Sequence, residues 1–300
     1  MNAPVQYLSR KEIDIALWDK RIETAANGLI YAHSFYLDGV CDHWDAVVCN
    51  NYESVMPLPW KLKWGVRYLY APPFMQQLGL IDNTAGVDLQ EAIRVVKNKF
   101  KYGDILFNFT NVLPGSLEKT NFILDLDRPY SEIEKNYSGD LKKNLKAVKK
   151  DSLLFSFAPN IEEVIGAFKK EYESRMGIAD NDYKRFCTLC LQLEKKGMAF
   201  GRKVENDKRE TVAVALFLKD GKRIYNIMNT TTAAGRGAKA NHYLLTEVIK
   251  EFAGQPLLFD FEGSDLPGVK EFYFNFRPAY QPFFHYHFNR LPWPLRFLKK

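Results

Sequence analysis

Apolar positions in the second half of this chain follow two different periods. Over 223–229 they alternate with polar ones, as in a half-buried strand, and over 242–252 they recur at Leu244, Leu245, Val248, Ile249 and Phe252, one face of a helix. A short apolar run at 257–261 reads as the next strand; Asp260 interrupts it and Glu262, Gly263 and Ser264 follow at once. Between first strand and helix lies a loop with Gly235 and Gly237 around Arg236, which permits unusual backbone angles where the helix begins. A helix start offers unpaired N–H groups and the positive end of a dipole, so Gly235, Arg236, Gly237, Ala238 and Lys239 suit a phosphate or pyrophosphate. Carboxylates at the mouth of the neighbouring strand are placed to handle a proton, Glu262 first and Asp260 second, Asp260 being equally suited to capping a loop or pairing with Arg277.

Elsewhere the same reading gives a helix over 11–25, strands within 45–60 and 64–71, and two helical pieces over 130–150 broken near Ser138 and Gly139. Helices at 161–172 and 182–196 and three antiparallel strands over 199–228 follow. Pro57 and Pro59 argue for a strand that lies near an edge or leaves the sheet early. Residues 121–127 read as the strand closing a first domain, and 278–288 as the strand ending a second sheet, with His285 and His287 aimed at one face.

The pattern repeats. Residues 91–109 lie on 243–261 without a gap, so that Ile93 meets Leu245, Val96 meets Val248, Phe100 meets Phe252, and the run ending in Asn108 meets the run ending in Asp260. This predicts two related α/β domains, 1–127 and 128–300. The first has Asn108 and Thr110 where the second has Asp260 and Glu262, and prolines 72 and 73 where the second has its glycine loop. Neither Asn nor Thr acts as a base at neutral pH, and prolines remove N–H donors, so donor chemistry belongs to the second domain and the first is expected to serve as a wall of the acceptor site.

Composition narrows the classes. At 300 residues the chain suits about two domains, and no apolar run approaches the length of a spanning helix. The first residues lack the apolar core of a signal peptide, and four cysteines agree with a reducing compartment, so a cytoplasmic protein is expected. Cys187 and Cys190 form a lone CxxC in a helical pattern and read as buried thiols, and two histidines without a third ligand read as packing, so no metal is expected. Residues 1–125 carry 12 Lys and Arg against 14 Asp and Glu, and the remainder 30 against 22, a surplus on the second half that fits either a polyanionic ligand or basic residues that keep the domain soluble. Lys143 and Lys146 lie among the lysines 142, 143, 146, 149 and 150 of one helix, a pattern that fits either a phosphate-bearing substrate or a solvated face. The tail, with Trp293, Leu295, Phe297 and Leu298 among Arg290, Arg296, Lys299 and Lys300, suits weak contact with an anionic membrane surface.

Thr232, Gly235 and Gly237 before the helix, and the run 257–264 after it, resemble the GNAT acyltransferase superfamily. That loop pattern is Gln or Arg, two residues, Gly, one residue, then Gly or Ala; Thr232 stands where Gln or Arg is usual. The stretches 71–80, 121–133 and 257–273 resemble the Fem-type branch. The resemblance implies two tandem GNAT-like domains, each a mixed, largely antiparallel sheet flanked by helices. It also implies an acyl-CoA or aminoacyl-tRNA donor as co-substrate, without a permanently bound cofactor, and an amine acceptor such as a cell-wall (peptidoglycan) precursor. In Fem-type proteins the matching region faces the cleft between domains, so Gln76 and Gln77 are expected either to touch the acceptor or to be two amides of a surface loop. Transfer requires a base, Glu262 or Asp260; a polarising N–H near Asn229 and Thr230; and a proton for the leaving group, for which Tyr273 is the candidate, a residue that also reads as packing its helix against the sheet. The alternative is a GNAT-like protein that binds a CoA-like, tRNA or peptide ligand without turnover.

Overall fold

A computed structural model describes residues 5–82, 88–148, 153–157, 160–263, 265–293 and 296. Lys149, Lys150, Ser264, Leu295, Phe297, Leu298, Lys299 and Lys300 lie outside the described residues.

The chain forms two compact units, residues 1–119 with 282–300 and residues 120–281. The first is built on an eight-stranded sheet in the order Val5–Ser9, His43–Cys49, Ser54–Lys63, Val66–Leu69, Tyr102–Phe107, Phe283–Asn289, Leu117–Lys119, with Ile81–Asp82 added beside Ser54–Lys63. The second has seven strands in the order Leu154–Phe157, Ala199–Glu205, Thr211–Lys219, Arg223–Thr231, Leu258–Asp260, Phe122–Asp125, Ala279–Tyr280. Both sheets are antiparallel except where the fourth strand of each order meets the fifth, and the fifth is in each case preceded by a helix, Leu89–Lys99 or Ala240–Phe252. Those are the segments that the internal repeat superposes.

Each helix covers its sheet with the predicted face. Ala92, Ile93 and Val96 enter the core of the first unit beside Phe107 and Phe284, and Leu244, Leu245, Val248 and Ile249 enter that of the second beside Phe217 and Phe259. Asp88 caps the first helix by accepting from Gln90 N at 2.8 Å.

The closing strands differ from the expectation, and the expected boundary at 127 moves with them. Phe122–Asp125 pairs with Leu258–Asp260 and Ala279–Tyr280 in the second sheet, whereas Phe283–Asn289 pairs with Tyr102–Phe107 and Leu117–Lys119 in the first. The physical reason is that an apolar alternation specifies a strand and its buried face but not which open sheet edge it completes. Pro57 and Pro59 lie on an interior strand. They are tolerated because Ile81–Asp82 pairs only at Ser54 and Val55 and Val66–Leu69 only from Trp60 onward; between those stretches Pro59 O accepts from Tyr70 N at 3.3 Å, which asks no N–H of the proline.

Candidate active site

Arg223–Thr231 carries the site because of two irregularities. Its parallel pairing with Leu258–Asp260 covers only Arg223, Ile224 and Tyr225, so the strand runs on with that edge open. The register against Thr211–Lys219 also slips between Leu216 and Phe217, which face Met228 and Asn226 and leave Ile227 as a bulge. A bulge inserts one residue into the alternation, so Asn226 and Asn229, three apart, reach the same face. Asn226 Nδ2 donates to Tyr273 Oη at 3.4 Å, and Asn229 and Tyr273 line one cleft.

That cleft, of about 320 Å³, lies beside the C-terminal end of Arg223–Thr231, at Asn229 and Thr231, and is walled by Tyr172, Arg236, Lys239, His242 and Phe272. Thr232 N donates to Val212 O at 3.0 Å, and Thr232 Oγ1 accepts from Gly235 N at 3.0 Å, which turns Ala233–Gly237 into a short helix rather than the expected loop. The unusual backbone lies instead at Lys239, φ 60°, immediately before the helix Ala240–Phe252, whose N-terminus no side chain caps. Lys239, Asn241 and His242 bring that N-terminus to the cleft, presenting N–H donors to an anion. Arg236 is tied down at the rim: its Nη1 donates to Thr231 O at 2.7 Å and lies 3.5 Å from Glu171. Burial, helped by Lys239, lowers the His242 pKa to about 4, so the ring is neutral at physiological pH. Gly235 is required for packing, since a Cβ there would overlap the carbonyl of Val212. Gly235→Ala is expected to cost about 1–3 kcal/mol, read from urea denaturation, whereas Gly237→Ala, with open space around it, should be nearly neutral.

Beyond Asp260 the chain makes a tight turn that sets Glu262. Asp260 is 1 % exposed, and its Oδ1 accepts from Glu262 N at 3.1 Å and Asn121 Nδ2 at 3.0 Å. Its Oδ2 pairs with Arg223 at 2.8 Å, and Arg223 also donates to Gln281 Oε1 at 2.8 Å. The partner of Asp260 is therefore Arg223 and not Arg277, because Arg223 heads the strand that pairs with 258–260. Asn121 Oδ1 accepts from Gly263 N at 2.8 Å, and Gly263 packs so closely on Thr120 and Asn121 that no side chain fits there. Within this clamp Glu262 is held at φ 54°, a left-handed conformation that non-glycine residues avoid. One of its carboxyl oxygens, Oε1, is sealed from solvent without a hydrogen-bond partner, and burial pushes the group up from 4.5 to about 8. The Tyr273 phenol is raised as well, by burial first and by the nearby Glu262, and so keeps its proton.

Two comparisons with known proteins return nothing: no family profile and no curated protein matches. Solved structures do match. FemX aligns over 98 % of this chain and 99 % of its own at TM-score 0.64 and 12 % identity. L-PGS from Bacillus licheniformis aligns over 95 % of each chain at 0.54 and 12 %. N-myristoyltransferase from Saccharomyces cerevisiae, with bound myristoyl-CoA, aligns over 97 % of this chain and 84 % of its own at 0.50 and 13 %. The fold is GNAT/Fem-like.

Within this Fem-like fold the two units differ in their chemistry. In the first, Asn108 Oδ1 accepts from Thr110 N at 3.0 Å, the same turn that Asp260 and Glu262 make at 3.1 Å. An amide thus suffices to build the turn, and the acids are peculiar to the second unit. The other sequence-derived residues spread more widely. Asn229, Gly235, Arg236 and Lys239 line the cleft, whereas Thr230 is buried with its hydroxyl sealed and Ala238 packs against the core. Lys146 lines a separate groove of about 570 Å³ with Lys142 and Lys250, and Lys143 is exposed on the same helix. Gln76 and Gln77 belong to the first unit, where Gln77 is 1 % exposed and donates to Gln76 Oε1 at 2.6 Å. His285 and His287 both reach Asp104 Oδ1, at 3.0 and 2.9 Å, and among the described residues no group of three potential ligands is placed to hold a metal. All four cysteines are free, and no described helix is long and apolar enough to cross a membrane.

Asn226, His242, Asn121 and Arg223 were not singled out from the sequence. Asn226 had a readable signal, a polar residue at an apolar strand position; the others act through partners distant in the chain.

Proposed function

We propose that the second unit is an N-acyltransferase site which moves an acyl or aminoacyl group from acyl-CoA or aminoacyl-tRNA to an amine. The observation that carries this reading is Glu262: a carboxyl group raised to about 8 by burial, fixed in a strained turn near Tyr273, which itself lines the cleft that has a helix N-terminus in its wall. The phosphates of the donor sit against the N–H groups at Lys239–Asn241, and the open edge of Arg223–Thr231 near Asn229 polarises the donor carbonyl. Glu262 as carboxylate takes a proton from the acceptor nitrogen, which attacks the carbonyl carbon. The C–S or C–O bond to the donor breaks, and the leaving sulfur or oxygen takes the Tyr273 proton. Asp260, held by Arg223 and Asn121, positions the turn.

The first unit, with prolines at 72 and 73 and with Asn108 and Thr110 at the corresponding turn, serves acceptor binding through Gln76, which the buried Gln77 holds in place. Lys143 and Lys146 hold phosphates of a phosphate-bearing substrate, and a cell-wall precursor amine in the cytoplasm is the acceptor that the Fem-like architecture favours. Thr232 supports a second reading, a ligand-binding protein without turnover, because its hydroxyl is occupied in capping Gly235. Mass spectrometry of products from the purified protein with acetyl-CoA, charged tRNA and a panel of amines separates the two. A new amide supports transfer; tight donor binding without product under every condition overturns it.

A further inference from the structure

The hairpin joining Ser54–Lys63 to Val66–Leu69 is closed by Trp64 and Gly65, with Lys63 paired to Val66. Both loop residues have positive φ, 52° and 76°. Asn-Gly or Asp-Gly is the usual choice for such a turn, and a bulky residue there is strained. Trp64 is nevertheless there and 79 % exposed, beside Leu62 at 61 %. A strained position that presents an indole to water points to a use for the indole.

Register places other groups at the same end of the sheet. Val66–Leu69 runs parallel to Tyr102–Phe107 with Leu69 opposite Gly103, so the hairpin tip projects past Tyr102. Asn289 is paired with Tyr102, and Arg290 N donates to Lys101 O at 2.6 Å, which brings the segment carrying Trp293, 80 % exposed, to that edge. Lys63, Lys101 and Arg290 are there too, with Lys63 Nζ 4.8 Å from the centre of the Trp64 ring. Of the carboxylates nearest this end of the sheet, Asp42 lies 3.2 Å from Lys61, Asp45 3.8 Å from Arg67, and Asp104 2.9 Å from His287 and 3.0 Å from His285.

We propose that this edge of the first unit, led by Leu62 and Trp64, docks on the surface of an anionic lipid bilayer. Indoles settle at the membrane–water boundary, lysine and arginine are drawn to anionic headgroups, and a convex hairpin tip inserts where a flat protein partner would need a matching hollow. The inference is independent of the transferase reading and extends to the hairpin the membrane contact expected of the tail.

Flotation of the full chain with phosphatidylcholine vesicles, with and without about one-third phosphatidylglycerol, tests it. Binding is expected only to the anionic vesicles and to fall as salt shortens the range of attraction. Trp64→Asn suits the turn and should hold or raise Tm, while lowering vesicle partitioning at least about tenfold. No binding to anionic vesicles, equal binding to neutral ones, or unchanged partitioning of Trp64→Asn overturns the proposal. A concentration-dependent dimer of the free protein that Trp64→Asn dissolves does so too, since the tip would then cover a second copy of the chain.

Discussion

Glu262→Gln is expected to lower kcat for acyl transfer by about 10²–10⁴ while leaving the donor KM near its starting value, the signature of losing a base and not a binding group. The same substitution should stabilise the protein in alkaline buffer. The unfolded carboxyl ionises near its ordinary 4.5, whereas the folded one stays protonated until about 8. Between those values the unfolded state binds fewer protons, so wild-type stability falls as pH rises through that window. An amide at this position does not ionise, and the variant should gain on the order of 1–3 kcal/mol over wild type at pH 8 and nothing at pH 4. A variant that is inactive and also uniformly destabilised would point to a structural role instead. At pH 7 only about a tenth of Glu262 is carboxylate, so turnover by the wild type should rise steeply up to about pH 8.

Arg223→Ala should give the largest loss of stability. Arg223 is 4 % exposed and Asp260 1 %, with 2.8 Å between them, and removing the guanidinium leaves a carboxylate buried without its counter-charge, at a cost of about 3–5 kcal/mol. Asp260→Asn should cost less. The turn survives with an amide, as Asn108 shows in the first unit, and the change leaves a cation with Gln281 still beside it. Because the two groups act as a pair, the double variant Arg223→Met with Asp260→Asn should recover part of the loss. Urea unfolding of Arg223→Met, Asp260→Asn and their combination measures this; additive single effects would mean that the two groups are not paired.

How far the sequence foretells this molecule depends on the range of each interaction. The helix-then-strand units at 91–109 and 243–261 are legible because their signal is local: a helical stripe at Leu244, Leu245, Val248 and Ile249, then an apolar run. From that repeat the duplicated architecture follows. The destinations of Phe122–Asp125 and Phe283–Asn289 are not legible, since both carry the same alternation and differ only in the sheet edge that receives them. Glu262 and Tyr273 can be named as candidates by type and place. The left-handed backbone falls at Lys239 and not at the glycines, because Thr232 caps the turn and draws 233–237 into a helix. The clamp on Glu262 depends on Asn121 and Arg223, respectively 139 and 37 residues from Asp260 in the chain, a coupling that no window of sequence contains.

The protonation of the Glu262 side chain is measurable without knowing donor or acceptor. A carboxyl carbon-13 NMR titration of the full chain, with Glu262→Gln to assign the resonance, should show one glutamate titrating near pH 8 that vanishes in the variant. A Glu262 midpoint near 4.5 would mean that the carboxyl is freely solvated, and the proposed base, together with its pH-dependent turnover, would be contradicted.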